Sequence, residues 1–114
     1  MVSSDVTGVG TARANVAACG YGGDKGIFGY GGWWLSMTNL VSNAGVVGTD
    51  VTGVGTARYS PAATQYGGDK GIFGYGNIGQ VCSMSNLVSN TGVVASDVTG
   101  VGTARHITAG CSFN

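Results

Sequence analysis

The ionisable side chains of this chain recur at equivalent positions of an internal repeat. Aspartate opens the string DVTGVGTAR and arginine ends it, and the string occurs three times. The six residues are Asp5, Asp50, Asp97, Arg13, Arg58 and Arg105. A catalytic centre normally combines different groups in one asymmetric constellation, whereas residues present in every repeat usually hold turns and repeat contacts. We therefore predict structural roles, in which aspartate caps turns through backbone N–H groups and arginine donates to backbone carbonyls.

The remaining residues do not supply a catalytic set. His106 is the only histidine, and the equivalent positions hold Ala14 and Tyr59, so we expect a surface or edge-strand histidine without a general-base role. The segment Gly74–Gly79 matches the pattern GxGxxG. That pattern binds dinucleotides only when a helix follows it, and here a strand-like run follows. The sequence predicts that the protein is not an enzyme and that it needs no cofactor.

The three cysteines do not form a recognisable framework. Cys19, Cys82 and Cys111 are an odd number, none lies in a CxxC pair, and a single histidine cannot complete a usual zinc site with them. We predict free thiols and no bound metal. Cys19 and Cys111 each follow a repeat arginine by six residues. Equivalent sites of separate repeats lie too far apart for a disulfide, which needs Cα atoms within about 7 Å, so we expect no intrachain bridge between them.

A tryptophan pair is the clearest difference between the repeats. Trp33 and Trp34 stand where the second repeat has Ile78 and Val81 nearby. Exposed tryptophans can stack on sugar rings or anchor a protein contact, and a buried tryptophan would instead pack between repeats or against another subunit. Both alternatives stay open from the sequence. The candidate ligand-binding residues are Trp33, Trp34, Tyr30 and Tyr75.

These residues are positioned by a repeat of 45 to 47 residues that covers nearly the whole chain. The first unit spans 5–49, the second spans 50–96, and a partial third unit begins at Asp97 and stops at Asn114. The string YGGDKGIFGYG occurs in both full units, at Tyr21–Gly31 and Tyr66–Gly76. We treat residues 1–114 as one repeat domain.

Each full unit is predicted to form four short strands. Val, Ile, Tyr and Phe segments punctuated by glycine favour strands, and the Gly-Gly-Asp turns suit tight hairpins. In the first unit the predicted strands are Ala14–Tyr21, Lys25–Tyr30, Met37–Ser42 and Gly45–Val51. In the second unit they are Tyr59–Tyr66, Lys70–Tyr75, Met84–Ser89 and Gly92–Val98. Four strands in roughly 40–50 residues are typical of a propeller blade, so we expect an all-β chain with at most a turn of helix.

The repeat resembles that of kelch-like β-propellers. Arg13 and Arg58 enter the first strand, and Phe28–Gly31 and Phe73–Gly76 end the second strand with an aromatic residue and two glycines. In kelch blades the glycines are adjacent and a tryptophan precedes the fourth strand, whereas here Tyr splits the glycines and that tryptophan is absent. The TGVGTAR and YGGDK strings are also similar to repeats of viral and environmental proteins. The resemblance implies a propeller fragment of about two and a half blades.

Composition excludes several classes of function. Only 9% of the 114 residues are charged, against about a quarter in a typical domain, and the formal net charge is zero. No lysine and arginine cluster is available for nucleic acid, and no stretch approaches the roughly 18 apolar residues of a membrane span. The N-terminus lacks the pattern of a signal peptide, which favours an intracellular or virion-associated protein.

A fragment of two and a half blades cannot close a ring alone, because propellers need roughly four to eight blades. Exposed blade faces and unpaired strand edges favour association, and a charge-poor surface opposes it weakly. We therefore expect a self-assembling homo-oligomer, with six blades from three chains or eight from four. Its predicted role is that of a structural or protein-interaction module, and the alternative is a lectin-like propeller that binds glycans.

Overall fold

The chain is all-β, as the sequence predicts. The computed structural model describes residues 3–113, which leaves Met1, Val2 and Asn114 of the predicted domain outside the described part. Its strands form two three-stranded antiparallel sheets, and the described residues contain no helix. No helix in this part of the chain is therefore long and apolar enough to cross a membrane.

Each sheet is a meander built from one predicted unit. The first sheet contains β1 (Ala17–Tyr21), β2 (Lys25–Gly31) and β3 (Leu35–Val41). The second contains β4 (Ala62–Tyr66), β5 (Lys70–Gly74) and β6 (Ser85–Val88). The β1–β2 and β4–β5 hairpins share one register, in which a tyrosine pairs with a lysine across a three-residue turn. Gly22 and Gly23 have φ of 62° and 83° in the first turn, a region that glycine adopts without strain.

The predicted first strands begin three residues too early. Asn15 and Ser60 have φ of 57° and 54°, so the backbone turns out of the extended conformation before β1 and β4. Residues Ala14 and Tyr59 instead make isolated bridges to Gly32 and Asn77. The side chains of these two positions therefore lie outside the regular sheets.

The predicted fourth strands are not regular strands. In the first unit, the segment that was expected to be a strand over Gly45–Val51 runs along β3 through two isolated bridges, Val41 to Val47 and Thr38 to Val51. Between the bridges, the side chain of Asn39 donates to the carbonyl of Gly48 at 3.1 Å. A side-chain donor at this point interrupts the backbone ladder. The second unit repeats this over Gly92–Val98, where Asn86 donates to Ala95 at 3.0 Å.

The core lies between the two sheets rather than within either of them. The buried apolar cluster combines Tyr21, Ile27 and Tyr30 of the first unit with Phe73 and Val88 of the second. A backbone ladder between equivalent residues also links the units: Ser60 N–H donates to Asn15 at 3.0 Å, and Ile107 N–H donates to Ser60 at 3.1 Å. The units therefore stack on one another, as expected for a repeat in which each unit buries its face against a neighbour.

Candidate functional site

The best-defined polar site surrounds Arg58, whose side chain is fully buried at the junction of the two units. Its Nε donates to the carbonyl of Tyr75 at 2.7 Å, Nη1 donates to that of Thr56 at 3.1 Å, and Nη2 donates to Oδ1 of Asn86 at 2.7 Å. Its guanidinium carbon also lies 4.4 Å from the ring centroid of Tyr30. A buried cation is costly unless it is paired and hydrogen-bonded, and this environment provides both acceptors and an aromatic face.

Asp97 completes this network from the start of the third unit. Its carboxylate accepts bonds from the Thr56 N–H at 3.1 Å, the Thr56 hydroxyl at 2.6 Å and the Asn86 amide at 2.9 Å. Burial by itself raises the pKa of Asp97, but the hydrogen bonds from Thr56 and Asn86 outweigh it and hold that pKa below its usual value. The carboxylate is thus kept ionised by groups that belong to the preceding unit.

The first unit contains the same network. Arg13 donates to the carbonyls of Tyr30 at 2.9 Å and Thr11 at 3.2 Å, and it bonds Asn39. Asp50 accepts from the Thr11 hydroxyl at 2.6 Å and from the Asn39 amide at 2.9 Å, and its Oδ1 lies 3.9 Å from Nη1 of Arg13. These bonds, that from Thr11 first, lower the pKa of Asp50.

Sequence reasoning predicted a structural role for the repeated aspartates and arginines but did not identify their partners. The arginines do donate to backbone carbonyls, whereas Asp50 and Asp97 bond a threonine about forty residues earlier rather than a local turn. The missing members are Thr11 with Thr56 and Asn39 with Asn86. The sequence did contain a signal for these partners, because all four residues recur at equivalent positions of the repeat.

The third copy of the network is partial in the described residues. Arg105 donates to the carbonyl of Thr103 at 3.1 Å and its guanidinium carbon lies 4.0 Å from the ring centroid of Tyr75. Asp5, at the other end of the chain, is exposed.

Of the predicted ligand-binding tyrosines, Tyr30 lies in the packing interface. It is fully buried, its hydroxyl donates to Val54 at 3.1 Å, and the ring of Phe73 meets it edge-on at 5.1 Å. Burial raises the pKa of the Tyr30 hydroxyl, although the nearby Arg58 opposes this. The equivalent Tyr75 is partly exposed and its hydroxyl donates to Val101 at 3.4 Å. Tyr30 thus presents no ring face to a ligand in this structure.

The tryptophan pair borders a cleft at the junction of the units. Trp33 is 86% exposed and Trp34 is 45% exposed. Trp34 meets the ring of Tyr59 edge-on, with centroids 5.4 Å apart. The cleft has a volume of about 530 Å³ and is lined further by Arg13 and Leu35. Tyr59 was not among the predicted ligand residues, and its place beside Trp34 follows from the stacking of the two units.

The structure also locates the residues that could have carried other chemistry. All three cysteines are free thiols; burial raises the pKa of Cys19 and of Cys82, and Cys111 is exposed. Within residues 3–113, Nδ1 of His106 is buried without a hydrogen-bond partner. The same part of the chain contains no group of three or more histidine, cysteine, aspartate or glutamate side chains that could hold a metal ion.

Neither a scan against protein-family models nor a search of curated proteins finds a match for this chain.

Proposed function

We propose that the chain is a non-enzymatic structural or protein-interaction module, a kelch-like propeller fragment that assembles with copies of itself. The observation that carries this proposal is the interface between the two units. There the fully buried Tyr30, Arg58 and Phe73 join one repeat to the next. Because the repeat continues beyond this interface in both directions along the sequence, the same chemistry is available for joining one chain to another.

Native mass measured over a range of protein concentrations tests this proposal. A head-to-tail contact closes into a ring if the rotation per unit fits, and two blades per chain favour three or four chains. We expect the mass to reach a plateau at a trimer or tetramer. A folded monomer at every concentration up to the millimolar range would contradict self-assembly.

A second candidate function is glycan binding at the cleft beside Trp33, Trp34 and Tyr59. Exposed tryptophan faces can stack on sugar rings, and the second unit has no tryptophan at the positions of Trp33 and Trp34. A glycan array with the wild type and the variants Trp33→Ala and Trp34→Ala tests it. Phe113→Ala, which removes another exposed aromatic ring, is the control and should leave any binding unchanged. Wild-type protein that retains no glycan would eliminate this candidate.

A further inference from the structure

The contact between the two units is a ring inserted into a hollow. Phe73 of β5 is fully buried, and the hollow that receives it is formed by Gly29 and by the ring of Tyr30. A Cβ atom on Gly29 would lie only 2.7 Å from Cζ of Phe73. The absence of a side chain at Gly29 is therefore what admits the ring.

The equivalent ring of the first unit, Phe28, has no aromatic partner among the described residues. Phe28 occupies the position in β2 that Phe73 occupies in β5, as the pairings of Phe28 with Asn39 and of Phe73 with Asn86 show. It is 40% exposed and lies with Val9, Val16 and Val47 around a shallow depression, which polar residues such as Arg13 also line. The chain thus exposes Phe28 at one face, whereas the equivalent Phe73 is buried at the junction of the two units.

The hollow of the second unit is open at the opposite face. Gly74 is the equivalent of Gly29, and the nearest heavy atom to a Cβ built there is Cβ of Ser85 at 4.0 Å. Together with Tyr75, Ala62, Ile72 and Val98 it lines a cavity of about 440 Å³. The position that Phe73 fills above Gly29 is therefore unfilled above Gly74.

The surroundings of this second hollow match those of the occupied one in part. Arg105 lies over Tyr75 at 4.0 Å, as Arg58 lies over Tyr30 at 4.4 Å. The backbone ladder that joins Asn15 to Ser60 continues from Ser60 to Ile107, so Ile107 holds the place that Asn15 of an incoming copy would take. The hollow thus has the arginine–tyrosine contact of a repeat junction. In the described residues it lacks the aromatic ring of a following β2, and Arg105 lacks acceptors equivalent to Tyr75 and Asn86.

We propose that Phe28 of a second copy of this chain inserts into the hollow formed by Gly74 and Tyr75, so that copies join head to tail. This inference rests on the proposed self-assembly and gives its contact. The occupant is a second copy because the chain itself presents the matching ring on its other face, in a strand of the same sequence as β5. The contact is heterologous, so each chain can use both faces at once.

The incoming copy also replaces the C-terminal tail. In the isolated chain this tail lies over β4, where a Cβ on Gly110 would be 3.2 Å from the carbonyl oxygen of Ala63. An incoming β1 needs that place, since β1 packs against β4 at the internal junction, where a Cβ on Gly20 would lie 2.5 Å from Oε1 of Gln65. The incoming β1 is hydrogen-bonded to its own β2, whereas residues 106–113 form no strand, so β1 displaces the tail.

Two variants block the contact from opposite sides. Phe28→Glu removes the ring at a partly exposed position, and Gly74→Val fills the hollow at a position where a Cβ meets no close atom within the chain. Each variant should fold as the wild type does in circular dichroism. Each should raise the concentration of half-assembly at least about tenfold, as expected for loss of one buried aromatic contact. Val46→Glu, which adds the same charge at an exposed turn position, should assemble like the wild type.

Mixing the two variants makes the test specific. Phe28→Glu protein retains an open hollow and Gly74→Val protein retains its ring. An equimolar mixture should therefore form a one-to-one dimer at a concentration where neither variant assembles alone. Gly110→Val, which weakens the seat of the tail, should lower the concentration of half-assembly.

The outcomes separate this inference from the proposed function. A wild-type oligomer whose mass is unchanged in both blocking variants would overturn the Phe28 contact and leave self-assembly standing. A mixture that stays monomeric would also overturn it. Weaker assembly of Gly110→Val would overturn the displacement of the tail. A wild type that is monomeric at every concentration would overturn self-assembly together with this contact.

Discussion

At the scale of single residues, the network around Arg58 combines burial with three directional hydrogen bonds. Three of its nitrogens donate to oxygen atoms within 3.1 Å, and its flat face lies over Tyr30. A planar fork is needed for this arrangement, because a lysine ammonium cannot reach three separated acceptors from one point. The side chain therefore acts as a structural bridge between units rather than as a free charge.

Replacing the arginine guanidinium should lower the free energy of unfolding substantially only where that group is buried. We expect Arg58→Lys to lower the free energy of unfolding by about 1–3 kcal/mol, because buried acceptors lose their donors. Arg105→Lys makes the same chemical change at the exposed equivalent and should cost less than about 0.5 kcal/mol. Urea unfolding at a protein concentration below that of assembly measures both. Equal losses in the two variants would contradict the role of burial.

The aspartates should make the fold sensitive to acid. Hydrogen bonds lower the pKa of Asp50 and Asp97 in the folded chain from an ordinary value near 3.8. A lowered folded-state pKa stabilises the protein fully above the ordinary value, and this contribution is lost as the pH falls through the folded-state value. We expect stability to decline below about pH 4. In Asp97→Asn this decline should be shallower.

Thermal unfolding from pH 6 to pH 2.5 measures the effect. Asp5→Asn is the control, since Asp5 is the exposed equivalent of Asp97. A pH dependence that is the same in Asp97→Asn and in the wild type would show that this carboxylate does not couple protonation to folding.

Part of this residue-scale picture could be predicted, because the repeat shows which residues hold equivalent positions. The roles of Arg13 and Arg58 were predicted from their recurrence. The partners of Asp50 and Asp97 were not, since they lie in another unit and only the stacking of the sheets brings them together. The burial of Tyr30 was not predicted either, because it also depends on the stacking of the two sheets.

At the scale of elements, local sequence specifies the hairpins better than the outer strands. The turns Gly22–Asp24 and Gly67–Asp69 fixed the β1–β2 and β4–β5 hairpins, because glycine adopts the required positive φ. The sequences of the predicted fourth strands, Gly45–Val51 and Gly92–Val98, favour strands just as strongly as the hairpin sequences do. They are irregular because the amides of Asn39 and Asn86 take backbone carbonyls that a regular ladder would use.

Alanine substitutions at the equivalent glycines Gly29 and Gly74 test whether the same sequence is packed differently in β2 and in β5. In Gly29→Ala the new methyl group would lie 2.7 Å from the Phe73 ring and 3.1 Å from Cγ2 of Thr38. We expect a loss of about 1–3 kcal/mol in the free energy of unfolding, as for other overpacked cores. Gly74→Ala at the open equivalent should change it by less than about 0.5 kcal/mol. Urea unfolding of dilute protein compares them, and a large loss in Gly74→Ala would argue against the open hollow.

At the scale of the whole molecule, the sequence predicted a repeating unit, and the structure shows that the two full units stack on each other. A repeat of 45 to 47 residues shows that neighbouring units must bury each other's faces. Whether further copies would extend the stack or close it into a ring depends on a small rotation per unit, which side-chain packing sets. The amino-acid sequence does not directly specify that rotation between neighbouring units.

Assembly of the chain should depend little on salt. Only 9% of the residues are charged, the net charge is zero, and the proposed contact joins a phenylalanine ring to an apolar hollow. Screening weakens contacts between exposed charges, whereas burial of apolar surface persists and is strengthened by sulfate. We expect the concentration of half-assembly to change by less than about threefold between 0.05 and 0.5 M NaCl and to fall in ammonium sulfate. Light scattering across the two salt series measures this. Dissociation by NaCl alone would mean that ion pairs, for instance through the exposed Asp5 of the incoming copy, hold the chains together instead of the buried ring.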